Sequence, residues 1–406
     1  MSGVLPPPRS QVLETASGRI LCIADIRGRL AALNDLAKAA NAVAIIHTGD
    51  FGFLDAESLH KMDENALRQL AFYSPLVPTS QEAARVGASD SIGISMLSEF
   101  PRLLAGEIRL EVPVYTVWGA SEDVDILEAF RTGEYAVPNL YILSEESTHL
   151  VCLGGLRLRL LGLGGAFSLT KLFDNGGHES PIAGAGCSTW TTALQIGRLV
   201  ETAERVFSPS ETRLLVTFAS PGREGSLSQL ALALQADFTL SAGLHFRATS
   251  SYNDYSVQRD FSHSGLRHKV LLSKKAFLRL WEEVKPVLEG TVGDLEQREL
   301  LNRAVRVLNR VPGTEDEEVA WRTCWHWNLC DVKSGTLVLD VRDCRIGSEI
   351  RSEGFSFAHR GAERRKGEPA PRQPMAALDL QMLDIDRNRT AMEDEPELLP
   401  HRKLKP

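Results

Sequence analysis

Five short polar stretches carry the residue types from which a chemical site is made. ADIRGR places Asp25 and Arg27 two positions apart, HTGDFG places Asp50 behind a glycine, and WGASED holds Ser121 and Glu122. Further along, PGREG presents Arg223 and Glu224 between glycines, and SAGLHF presents His245. Carboxylates and an imidazole hold cations or move protons, whereas guanidinium groups hold carboxylates and phosphates. Which chemistry operates depends on whether the chain brings these stretches together.

The elements around them suggest that it does. GRILCIAD (Gly18–Asp25) is an apolar run that stops at a carboxylate, the pattern of a buried strand delivering a side chain to a sheet edge. RLAALNDLAKAA, residues 29–40, has apolar residues at helical spacing, and AVAIIHTGD (Ala42–Asp50) is a second buried strand that also ends in an aspartate. Strand, helix and strand in so short a span form a βαβ unit and a parallel pair. In open α/β sheets ligands bind beyond the carboxyl ends of the strands, where Asp25 and Asp50 fall. VPVYTVWG (Val112–Gly119) reads as a third strand with a turn, followed by a helix at 122–131. Residues 55–110 read as mainly helical with a polar interruption at 79–91. Further strands are expected at 149–153, 156–163, 213–219 and 237–242, a long helix at 188–207, helices at 269–311 with a break near Gly290, and a closing hairpin from Thr336 to Ile350. His47, inside an apolar strand, reads as a satisfied core histidine. Lys171, Asp174, Asn175 and His178 form a polar loop that could cap a pocket, and Trp321, Trp325 and Trp327 read as core packing.

The order of the polar stretches resembles that of calcineurin-like metallophosphoesterases. These carry Asp-x-His, Gly-Asp, Gly-Asn-His-Asp/Glu, a lone His after a strand, and Gly-His-x-His. The matching stretches here are Asp25-Ile26-Arg27, Gly49-Asp50, Gly119-Ala120-Ser121-Glu122, Phe218, and Ala242-Gly243-Leu244-His245, over roughly residues 18–250. HTGDFG, VYTVWGASEDV, LRLLGLGGA, LFDNG and SAGLHFR are also similar to a fungal family of uncharacterised calcineurin-like proteins. SAGLH is similar to the last motif of lariat debranching enzymes, with Gly243 where they have a histidine.

The resemblance implies a four-layer α/β/β/α sandwich, with a C-terminal helical insertion at about 266–312. Residues 1–17 read as a loose N-terminus, 18–355 as the domain, and 356–406 as a disordered tail. The tail's one apolar patch, Met375–Asp386, is either a docking helix or idle chain. In the family two metal ions about 3.5–4 Å apart clamp a phosphate and activate a water. By that pattern Asp25, Asp50 and His245 survive from one metal site, with Arg27 in a histidine's place. Only Asp50 survives from the other, because Ala120, Phe218 and Gly243 have no donor atoms. Asp25, Asp50 and His245 could hold one divalent ion (Mn, Zn or Fe). Arg27 could instead satisfy both carboxylates and stand where a cation would, leaving no cofactor. Ser121 replaces the histidine that assists the leaving group and is a weak candidate catalyst in its place. Glu122 reads either as a ligand contact or as a carboxylate at a helix N-terminus. The expected function is a pseudoenzyme in which Arg27, Ser121, Glu122 and Arg223 meet a phosphate-bearing ligand, or which binds a protein partner. The alternatives are a one-metal phosphoesterase acting on a nucleotide or RNA phosphodiester, and a pure interaction scaffold.

Bulk properties narrow the classes. The chain has 406 residues, 43% hydrophobic and 24% charged, as a globular protein does. Its net charge of -8 gives no support to broad nucleic-acid binding. No apolar run approaches the roughly 18 residues that a membrane span needs, and MSGVLPPPRS lacks a signal core. Six scattered cysteines without a C-x-x-C pair suit a cytosolic or nuclear protein.

Overall fold

The computed structural model describes residues 13–15, 17–77, 92–177, 180–242, 247–254, 265–291, 294–311 and 322–355. His178, the Gly243-Leu244-His245 stretch, Trp321 and the 356–406 tail lie outside them. Residues up to Gly354 form one compact unit.

Two sheets build that unit. The first has the order β15-β14-β2-β3-β4-β5. In it β2 (Gly18–Ile23), β3 (Ala44–His47), β4 (Val114–Thr116) and β5 (Leu140–Ile142) are parallel. The hairpin β14 (Gly335–Arg342) and β15 (Arg345–Ser352) joins it antiparallel to β2, with Leu339 opposite Ile20. The second sheet has the order β1-β6-β7-β10-β11-β13-β12. It comprises β1 (Leu13–Thr15), β6 (Thr148–Leu153), β7 (Leu156–Leu163), β10 (Thr212–Thr217), β11 (Phe238–Ser241), β12 (Ser250–Tyr252) and β13 (Trp325–Asn328). Its central strands β7, β10, β11 and β13 are parallel.

Strand periodicity explains the layers. In β2, Ile20 and Cys22 face the second sheet while Leu21 and Ile23 face helices. Both faces are buried, so the strand reads as an unbroken apolar run rather than an alternating one. Ile20, Ile46, Tyr115, Leu160, Leu214, Leu240, Trp327 and Leu339 fill the space between the sheets. The outer face of the first sheet packs against α1 (Ala32–Ala40), α4 (Phe100–Leu104) and α5 (Val124–Thr132). The outer face of the second packs against α6 (Ala193–Arg205), α7 (Gly225–Ala233), α8 (Gly265–Thr291) and α9 (Leu295–Leu308). The result is the α/β/β/α sandwich expected. Two short helices, α2 (Ser58–Lys61) and α3 (Glu64–Tyr73), stand beside the first sheet's loops.

Several expectations are revised. The stretch read as one helix from 188 begins instead with β9 (Ser188–Trp190), paired to β8 (Ala183–Ala185), and α6 starts only after a Thr192–Gln195 capping box. Residues 13–15, read as loose, pair in parallel with Val151–Leu153. The helices expected at about 266–312 are present as α8 and α9 and pack into the outer layer, with Phe277, Leu301, Ala304 and Leu308 buried in its core. Of the tryptophans, Trp327 stacks on Phe238 with ring centroids 4.8 Å apart, while Trp325 is partly exposed.

Candidate functional site

Three loops at the carboxyl ends of β2, β3 and β4 are tied together by their backbones. Arg27 N–H donates to Asp50 O at 2.9 Å and Gly28 N–H to Phe51 O at 3.0 Å. Asp25, Arg27 and Asp50 all adopt left-handed backbone, with φ of 56°, 45° and 55°. Aspartate tolerates this region, but arginine pays about 1–2 kcal/mol, a cost that persists only where surrounding contacts hold it. His47 supplies one such contact. Its Nε2 accepts from Ile26 N–H at 3.3 Å, and its Nδ1 lies 2.9 Å from Thr116 Oγ1. Burial pushes His47 down to about 3, so it stays neutral and acts as the core histidine expected.

Asp50 Oδ1 accepts from Ala120 N–H at 3.0 Å and Ser121 N–H at 3.4 Å. Gly119 is required here, because a Cβ on it would lie 2.0 Å from Asp50 Oδ1. Glu122 is fully buried, and its two carboxylate oxygens accept from Gly52 N–H at 2.9 Å and Gly119 N–H at 3.0 Å. It is therefore a brace between loops. The carboxylate that caps α5 is Asp123, which accepts from Asp125 N–H and pairs with Lys61 Nζ at 2.8 Å. Phe218, in the slot of a family histidine, follows β10 and packs its ring toward Gly49.

Arg27 is the centre of charge. Its Nη2 lies 3.3 Å from Asp25 Oδ2, and its Nη1 donates to Asp331 Oδ2. The Tyr73 ring from α3 covers the guanidinium at 5.5 Å. Asp331 follows β13, forms a bridge with Ala24, and holds the turn into β14 through Lys333 N–H at 2.9 Å. Sequence reasoning missed Asp331. A weaker signal was present, since Leu329 and Cys330 lead into this carboxylate, but Asn328 breaks the apolar run and its strand was not recognised.

Burial pushes the Asp25 carboxyl up to about 7; Arg27 pulls it down, and Asp50 and Asp331 add to the rise. Burial also raises Asp50, against Arg27 and the two amide donors. Burial opposes the charge on Arg27, but Asp25, Asp331 and Asp50 more than offset this and raise its pKa, so it remains a cation. Burial, helped by Asp50, lifts Glu122 to about 8 despite its backbone donors. Away from the site, burial lifts Glu145 to about 7, and its Oε2 has no hydrogen-bond partner among the described residues.

These raised carboxyls set a direction for pH dependence. Asp25, Glu122 and Glu145 keep protons in the folded chain over a range where the unfolded chain, with carboxyl pKa values near 4, has lost them. Their contribution is full below pH 4 and is lost as pH rises through about 7 to 8. Each group costs about 1.4 kcal/mol per pH unit within its window. The urea midpoint is expected to fall from pH 5 to pH 8, and Asp25→Asn should make the fall shallower. A midpoint that rises over this range would contradict the assignment.

Arg223 leads into α7, where its charge acts with Lys269 on the buried Glu224 carboxyl; burial, the larger influence, raises that carboxyl. Lys171 pairs with Asp174 at 2.6 Å and lies over the Trp190 ring. Asp25, Arg27, Asp50, Ser121 and Glu122 thus come together, joined by Asp331, while His245 falls outside the described residues. The donors present do not fit a two-metal centre: Ala120 and Phe218 offer no ligand atom, and a guanidinium reaches both Asp25 and Asp331. Among the described residues, no group of three or more His, Cys, Asp or Glu is arranged to hold a metal ion.

Comparisons with known proteins add little chemistry. Residues 248–360 match the model of a family described as a protein of unknown function (DUF2433). That segment supplies α8 and α9 and gives strands to both sheets, so it is not a separate unit. No curated protein matches the chain. Among solved structures, a dimetal phosphatase from Danio rerio aligns over 83% of this chain and 97% of its own, at 9% identity and a TM-score of 0.36. A likeness that loose says nothing about reaction or ligand.

Proposed function

We propose that this protein is a non-hydrolytic binding scaffold on a metallophosphoesterase-like fold, one of the fungal calcineurin-like group it resembles. The observation that carries this reading is Arg27 held between Asp25 and Asp331, where a hydrolase of this architecture would need a metal ion. Ser121 offers no general acid suited to neutral pH. A phosphate-bearing ligand would have to win Arg27 from two carboxylates, so a protein partner is the favoured occupant. All six cysteines are free, which supports a reducing compartment, cytosol or nucleus. No described helix is long and apolar enough to cross a membrane.

One observation favours a second reading, a one-metal phosphoesterase using Asp25, Asp50 and His245. Three carboxyls surround one guanidinium, and a divalent cation would balance the excess. The test is to purify wild type and Asp50→Asn with manganese, zinc and iron offered. Metal is then counted by elemental mass spectrometry, and hydrolysis of bis(p-nitrophenyl) phosphate is followed. Equal background metal and equal background hydrolysis are expected. Hydrolysis by wild type that Asp50→Asn abolishes would overturn the scaffold reading.

A further inference from the structure

We propose that Arg27 is a tethered counter-ion, latched by Asp331, that closes the Asp25–Asp50 site to divalent cations. The inference deepens the scaffold reading and rests on it. Its ground is the way two distant segments converge. Arg27 belongs to the loop after β2, and Asp331 comes from the turn between β13 and β14, 304 positions later. An ordinary surface ion pair is solvated on both sides and contributes little. Here the side chains of Asp25 and Asp331 are only 14% and 11% exposed, and that of Arg27 is 23% exposed.

Each part of the pair has a distinct role. Left-handed backbone at Arg27, fixed by its N–H bond to Asp50 O, aims the side chain back across the loop. Asp25 takes one arm of the guanidinium and Asp331 the other, which leaves a planar, permanently charged group beside Asp25. Tyr73 covers it from the side of α3. Asp331 is in turn fixed by its bridge to Ala24 and by Lys333 N–H. A metal ion entering next to Asp25 would meet the charge of Arg27 at close range in a partly desolvated site, where like charges repel strongly. Removing Arg27 leaves the negative charge around Asp25, Asp50 and Asp331 without its cation, so attraction to a divalent ion, rather than a ready-made ligand cage, is what the substitution uncovers. Oxygen donors of this kind favour manganese, magnesium and calcium.

The experiment is a manganese titration of the full chain, read by the EPR signal of free Mn2+ and by thermal shift. Arg27→Gly suits the left-handed backbone, and Arg27→Gln retains bulk and hydrogen bonding if the glycine variant folds poorly. Both should bind Mn2+ about 100-fold more tightly than wild type, with a melting temperature that climbs with added Mn2+. Arg27→Gly/Asp331→Asn should lose most of that gain, because position 331 then brings only a neutral amide oxygen and no negative charge to the ion. Folded arginine variants that bind no better than wild type would overturn the latch, as would wild type that already binds one Mn2+ tightly. Neither result bears on hydrolysis, which separately decides the scaffold reading.

Discussion

Glu122→Ala is expected to destabilise the protein by about 3 kcal/mol or more. The side chain is wholly buried, and its two oxygens receive the N–H groups of Gly52 and Gly119. Alanine leaves both donors without partners, at about 1–3 kcal/mol each, and opens a small cavity besides. Against a total of about 5–15 kcal/mol this is a large loss. Glu122→Gln should recover part of it, because an amide has one acceptor oxygen and its NH2 then faces a second donor. Urea unfolding followed by circular dichroism measures both. A loss below about 1 kcal/mol for alanine would mean that the brace between the loops carries no weight.

A steric change should be more severe. In Gly119→Ala the new methyl would lie 2.0 Å from Asp50 Oδ1 and 2.1 Å from Asp50 N, inside the backbone of the neighbouring loop. The Asp50 carboxylate could rotate away, but Asp50 N and Cα, the latter at 2.8 Å, are backbone, so the loops after β3 and β4 must separate. The expected cost is about 4 kcal/mol or more, enough to leave much of the expressed chain insoluble. Gly133→Ala is the control. Gly133 caps α5 with a φ of 84°, and a Cβ there meets nothing within 4 Å. Only the left-handed backbone is then penalised, at about 1–2 kcal/mol. If both variants lost the same amount, the close approach of Gly119 to Asp50 would not be what holds these loops together.

The fold was legible wherever strands buried on both faces produced unbroken apolar runs. GRILCIAD and AVAIIHTGD became β2 and β3, with Asp25 and Asp50 just past their ends. The short elements were harder to read. Ser188–Trp190 is β9, yet its three residues run straight into Thr192 and the amphipathic α6, so helical periodicity absorbed them. In the site, the sequence pointed to Asp25, Arg27 and Asp50 but not to what Arg27 reaches. Its second partner, Asp331, is brought near by long-range pairing, β14 with β2 and its own bridge to Ala24, which the local run before it does not encode. Glu122 looked like the opening carboxylate of α5. One residue decides the matter, since Asp123 takes the cap and frees Glu122 to turn inward.

The pairing of Ile20 with Leu339 also fixes when this protein can become whole during synthesis. A ribosome adding about 5–20 residues per second needs roughly 15–60 s to travel between those two positions. Throughout that interval the nascent chain carries β2 with one side of its backbone unpaired, next to the apolar surface that later fills the space between the sheets. Such an edge is a template for pairing with other chains. The demand for chaperone protection is therefore concentrated before residue 335 emerges. The same late event delivers Asp331 to Arg27, so the charged site is assembled only as the last strands dock.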